Sequence, residues 1–206
     1  MKKRILALCL VVGLLAVSVI GGTLAYFTDS DKVENTFTVG KVDIILDEAD
    51  TDEMGIVKQN EEGEALARVK ANEYKLIPGH TYVKDPTVTV AAKSEPCYVY
   101  VEIENGLVDV LEALPIDTVN WESVTNDAGM AVYRYKAVVT ASTDKVVLPA
   151  VFADFTVLEE ANEEALNECS AEKIVVNAFA IQSNDLSNNV TTADAEAVAY
   201  FNSLNA

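Results

Sequence analysis

Cys97-Tyr98-Val99-Tyr100-Val101-Glu102-Ile103-Glu104 decides the fold class. Cys97, Val99, Val101 and Ile103 share one face at a period of two, and Tyr98, Tyr100, Glu102 and Glu104 share the other. That alternation describes an antiparallel strand with one face on a core and one toward water. Asn105-Gly106 supplies its end.

Working outward, strands are expected over 36–46, 81–90, 131–140, 151–158 and 173–182. In the first, the apolar phase moves from Phe37 and Val39 to Val42, Ile44 and Leu46 across Gly40, the trace of a β-bulge. Pro86 confines the second to an edge or a strand start. Residues 47–63 are acidic and poor in large apolar side chains, which predicts an exposed loop. Residues 65–77 fit a strand or an irregular crossing, and Pro78-Gly79 marks a turn. A short helix is expected over 107–114, before Pro115. Leu158, Ala161, Ala165, Leu166 and Cys169 follow helical spacing among glutamates, so 159–172 should be an acidic helix. A last helix is expected over 192–204, with Thr191 or Thr192 as N-cap. At least six strands without a βαβ rhythm indicate an all-β, jelly-roll-like antiparallel sandwich over 36–206, with an inserted acidic helix and a C-terminal helix.

The chain has 206 residues, half of them apolar, and a formal charge of −18. So acidic a chain is a poor partner for nucleic acid, whose phosphates are bound by Lys and Arg. Its apolar content is too high for wholesale disorder. The few basic residues are unevenly placed. Lys2, Lys3 and Arg4 precede an apolar run from Ile5 to Ile20, and Gly21-Gly22-Thr23-Leu24-Ala25 follows. This is the layout of a secretory signal peptide over 1–25, with cleavage between Ala25 and Tyr26. Removal of the leader takes three positive charges and no negative ones, and leaves no second membrane span. The expected mature protein is secreted or held at the cell surface.

Catalytic signals are sparse. His80 is the only histidine, so His-Glu-x-x-His cannot occur and a Ser–His or Cys–His pair has one base to draw on. Neither catalytic residues nor a cofactor site is expected. Asp50, Asp52, Gly55 and Glu61 fall at positions 1, 3, 6 and 12 of an EF-hand-like calcium loop, although Met54 occupies position 5. The competing reading is an acidic, solvated loop. Cys97 and Cys169 are the thiols remaining after export, where a disulfide between them is permitted. Both also lie on apolar stripes, as buried free cysteines do.

Gly21-Gly22-Thr23-Leu24-Ala25-Tyr26-Phe27-Thr28-Asp29, followed by Asn35-Thr36-Phe37-Thr38-Val39-Gly40, resembles the start of the TasA/camelysin family. Pro78-Gly79 and Ala178-Phe179-Ala180-Ile181-Gln182 are also similar to it. The resemblance implies a leader removed by a SipW-type signal peptidase and a jelly-roll domain that self-associates into fibres of the biofilm matrix. It further implies donor-strand complementation, in which 26–35 of one subunit completes the sheet of the next, with Tyr26, Phe27 and Val33 as apolar anchors. The family also includes proteins described as metalloproteases, an activity that the single histidine argues against here. The alternatives are a monomeric cell-surface or ligand-binding module and an exported hydrolase.

Overall fold

The structure is a computed structural model, and it describes residues 41–127, 130–169, 171–183 and 190–204. The chain divides into two units, Met1–Val39 and Gly40–Ala206. The first lies outside the described residues, and every described strand and helix belongs to the second.

Ser94–Asn105 forms the long strand β4, as its alternation requires. Ile174–Gln182 (β10) pairs with it along nine residues, from Ile174 opposite Asn105 to Gln182 opposite Cys97. Met130–Tyr135 (β6) pairs on its other side, Trp121–Asp127 (β5) pairs with β6, and Val139–Ala141 (β7) pairs with the start of β4. The sheet order is therefore β10-β4-β6-β5. A second sheet holds Ile44–Asp47 (β1), Thr87–Val90 (β3) and Val146–Val147 (β8), in the order β1-β3-β8. Thr81–Val83 (β2) and Asp154–Thr156 (β9) make a separate two-stranded pair. Each of these pairings is antiparallel.

The main core fills the space between the two larger sheets. Val88 and Val90 of β3 meet Cys97, Val99, Val101 and Ile103 of β4, with Trp121, Val151 and Phe152 closing the layer. Trp121 is buried, and its indole N–H donates to the Pro149 carbonyl at 3.1 Å, as a buried indole must. A second cluster forms around Tyr82 and Phe155, whose rings stack 5.0 Å apart, with Leu107, Val110, Leu111 and Val157. Among the described residues, the result is an all-β antiparallel sandwich carrying two helices, the inserted acidic one at Glu163–Glu168 (α1) and the C-terminal one at Val190–Leu204 (α2).

Several boundaries differ from the sequence reading. The strand expected over 81–90 is two strands in different sheets, split at Lys84-Asp85-Pro86. Of 36–46, the part up to Gly40 lies outside the described residues, and the strand begins at Ile44. Residues 107–114 form turns rather than a helix. The Val110 and Leu111 amides both donate to the Leu107 carbonyl, and Leu111 then bridges to Val157. The acidic helix is shorter than expected because Asn162 caps it, accepting from the Ala165 amide. β5 has no counterpart in the sequence reading.

Candidate functional site

β10 lies at the end of its sheet, and among the described residues its outer edge is paired with no strand. The ladder fixes which groups face outward. At one end the Gly106 amide donates to the Lys173 carbonyl, and at the other the Ser183 amide donates to the Pro96 carbonyl. Odd-numbered residues therefore turn their backbone groups toward β4. Ile174, Val176, Ala178, Ala180 and Gln182 turn theirs outward, since antiparallel ladders alternate. The side chains of Ile174, Val176, Ala178 and Ala180 point into the main core yet are only partly buried. On the facing sheet, Val42, Ile44 and Leu46 are core-facing and partly buried in the same way. Among the described residues, β1 and β10 approach each other along this side of the sandwich without pairing. A long sheet edge that no described strand pairs with is a place where another strand can add.

The outer face of the same sheet is closed. Ala193, Ala197 and Phe201 of α2 pack on Tyr98, Tyr100 and Val132, and Phe179 stacks on Tyr200 with centroids 4.1 Å apart. The face expected to meet water is therefore covered at Tyr98 and Tyr100, a correction to the reading of β4 as half-buried. Glu102 is also buried and accepts from the Asn177 side-chain amide at 2.9 Å. Arg134, the cross-strand neighbour of Tyr100, is held by Glu122 and lies 3.0 Å from Asp194 Oδ1 of α2, an ion-pair contact rather than an aligned hydrogen bond. The Tyr100 hydroxyl donates to the same Asp194 oxygen at 2.9 Å, and burial raises its pKa above the ordinary tyrosine value. This polar set ties the helix to the sheet.

The segment from Asp47 to Ile77 is more structured than an acidic solvated loop. Bridges pair Glu48 with Val69, Thr51 with Val57 and Gln59 with Ala65. Its base is a polar hub around the buried Glu48. Lys84 donates to Glu48 Oε2 at 2.6 Å, Asn72 donates to Glu48 Oε1, and Arg68 reaches both Asp47 and Asp85. Of the calcium-loop candidates, Asp50 and Asp52 make local contacts. Asp50 pairs with Lys58 at 2.7 Å, Asp52 Oδ1 accepts from the Met54 and Ile56 amides at 2.9 Å, and Glu61 sits in an exposed turn. Gly55 has φ +75°, and a Cβ there would lie 2.7 Å from Tyr82 Cα, so packing as well as backbone conformation demands glycine. His80 Nε2 lies 2.9 Å from the Met54 carbonyl oxygen.

Cys97 and Cys169 are both free thiols, the first in the main core and the second against the Tyr82 cluster. Burial pushes the Cys97 thiol up to about 11. Ala25, Tyr26, Phe27 and Val33 lie outside the described residues. Among the described residues, no helix is long and apolar enough to cross a membrane.

Residues 1–68 match the family model described as camelysin metallo-endopeptidase. The match supports assignment to the TasA/camelysin family. No curated protein and no solved structure matches the chain. The family description implies a metal, and a metal needs a converging set of donors. Among the described residues, no three His, Cys, Asp or Glu side chains form a group able to hold an ion. A catalytic zinc takes three protein ligands, and the described part of this chain does not assemble them. What it does present is the β10 edge, which no single motif announces. The Ile174-x-Val176-x-Ala178-x-Ala180 row signals a core face, but its place at the end of the sheet comes from topology.

Proposed function

We propose that the chain is an exported structural protein, a subunit of extracellular matrix fibres of the biofilm type, assembled by donor-strand complementation. The observation that carries this reading is the nine-residue edge of β10, which among the described residues pairs with no strand and whose core-facing side chains are only partly buried. A strand from another subunit would satisfy those backbone groups and cover the exposed apolar rows. A head-to-tail contact of this kind does not close, so it propagates into a filament. The basic and apolar start of the chain, with Gly-Gly-Thr-Leu-Ala before Tyr26, supports export by a signal peptidase, whose cut would free the donor segment. The N-terminal family match covers the leader and the segment after it.

The test is to purify residues 26–206 and a version lacking 26–39, and to image both by electron microscopy. Filaments are expected from the first alone. Filaments from the truncated form, or none from the full mature form at any salt or pH, would refute strand donation. The metallo-endopeptidase reading rests on the family description; casein cleavage that chelator abolishes and zinc restores would favour it.

A further inference from the structure

We propose that Lys84 and Asn72 join in an intramolecular isopeptide bond, formed by the chain itself with Glu48 as proton carrier and with loss of ammonia. The bond would staple the segment from Asp47 to Ile77 to the chain just after β2, in a domain whose two described cysteines are free.

The three side chains meet on one carboxylate. The Lys84 ammonium donates to Glu48 Oε2 at 2.6 Å, and an Asn72 side-chain N–H donates to Glu48 Oε1 at 2.9 Å. Amine and amide are therefore held on the two oxygens of the same group, and the flexible four-carbon stem of lysine supplies the remaining approach. The Asn72 amide is fully oriented. It also donates to the Ala49 carbonyl at 2.8 Å, and its Oδ1 accepts from the Thr51 amide at 2.9 Å. Exchanging its oxygen and nitrogen would set oxygen against two acceptors, so the network admits one orientation.

The surroundings keep the three together. The Lys84 and Glu48 side chains are only 11% and 6% exposed, so little water competes for them. Arg68 binds both Asp47 and Asp85, which leaves Glu48 to Lys84. The backbone is pinned around the cluster. Glu48 and Val69 exchange backbone hydrogen bonds of 2.9 and 2.8 Å, the Ala49 amide donates to Asp85 at 2.7 Å, and the Lys84 amide donates to the Ala153 carbonyl at 3.1 Å. Holding nucleophile and amide in this way replaces a bimolecular encounter by an intramolecular one.

Each reacting atom has the partner that amide transfer needs. A proton passes from Lys84 Nζ to Glu48 Oε2 and leaves a neutral amine, the nucleophilic form. Its lone pair attacks Asn72 Cγ, and the carbonyl electrons move onto Oδ1, where the Thr51 N–H stabilises the oxyanion. Glu48 gives its proton to Nδ2, the Cγ–Nδ2 bond breaks, and ammonia leaves with the bonding pair as the carbonyl re-forms. The carboxylate then takes the second proton from Nζ and passes it to ammonia, which departs as ammonium. A lysine ammonium and a primary amide thus become a secondary amide and an ammonium ion. Nothing is oxidised or reduced, and Glu48 ends as it began.

The experiment is intact-mass spectrometry on purified residues 26–206, denatured and reduced so that no disulfide contributes. The mass is expected to fall below the sequence value by one ammonia, with fragmentation placing the link between Asn72 and Lys84. Glu48→Gln keeps the side-chain shape but cannot carry the proton, and Lys84→Arg keeps a cation without the nucleophilic amine, so both should show the full sequence mass. A succinimide at Asn72 would also lose ammonia, but it needs no lysine. Ammonia loss in either variant would therefore overturn the proposal. A full sequence mass for the unmutated chain would overturn it as well, whether or not the variants fold, and would leave the cluster as an ion pair with hydrogen bonds.

Discussion

Phe201→Ala tests whether the C-terminal helix is part of the fold or a loosely attached appendage. Phe201 is fully buried between α2 and the sheet, among Tyr98, Tyr100, Val132, Ala193 and Ala197. It also meets Phe179 edge-on at 6.2 Å and Tyr200 at 5.5 Å. Truncating a buried Phe costs about 3–5 kcal/mol, the lost transfer free energy plus a cavity. The upper half of that range applies here, because the aromatic contacts are lost as well and alanines on the helix cannot collapse into the space. For a domain of this size, that is a fall in Tm of about 8–20 °C. Leu204, half exposed at the helix end, is the control, and Leu204→Ala should cost no more than about 0.5 kcal/mol. Thermal and urea unfolding followed by near-ultraviolet circular dichroism measures both. A Phe201→Ala cost below about 1 kcal/mol, equal to that of Leu204→Ala, would refute the view that α2 closes the outer face.

Gly55→Ala should destabilise by about 2–4 kcal/mol, combining a left-handed backbone with a clash against Tyr82, whereas Gly63→Ala, with open space around it, should cost only about 1 kcal/mol; urea midpoints compare them. Cys97 should stay unreactive toward a thiol reagent in the native state and be labelled on unfolding, with Cys169 labelled sooner; a count of zero thiols after denaturation would instead mean a bridge. Burial raises Tyr74 to about 12 and also raises Tyr82, Tyr100 and Tyr133, so the native state holds these protons after the unfolded chain has released them. Their contribution to stability is therefore present below pH 10 and lost as pH rises from about 10 toward 12. Spectrophotometric titration near 295 nm should show a late-ionising group of tyrosines that vanishes in denaturant.

The alternation at Cys97–Glu104 is enough to place β4 and its core face, because period two survives whatever packs later. It cannot show that the other face is buried too. Tyr98 and Tyr100 suit water or a helix equally well, and the helix that covers them begins some ninety residues on. Glu102 reads as solvated until Asn177 from β10 is seen beside it. β5 escapes notice because Trp121 is followed by Glu, Ser, Val, Thr, Asn and Asp, a mostly polar run held in the sheet by pairing with β6. Leu107, Val110 and Leu111 are apolar and buried as a short helix would need, but the chain turns away to bridge Val157 instead of completing one. The acidic run at 50–61 carries the residue types of a cation loop, and in the structure Asp52 makes an Asx turn and Asp50 an ion pair with Lys58. The open edge is legible only as a row of core-facing residues, since edge position follows from how all the strands are ordered.

Residue-resolved hydrogen exchange on β10, in monomer and in assembled fibre, tests strand donation most directly. The account predicts fast exchange at the Val176, Ala178 and Ala180 amides in the monomer, strong protection of these in the fibre, and protection of Asn177, Phe179 and Ile181 in both. Even-numbered amides already protected in the monomer, or still fast in the fibre, would contradict it.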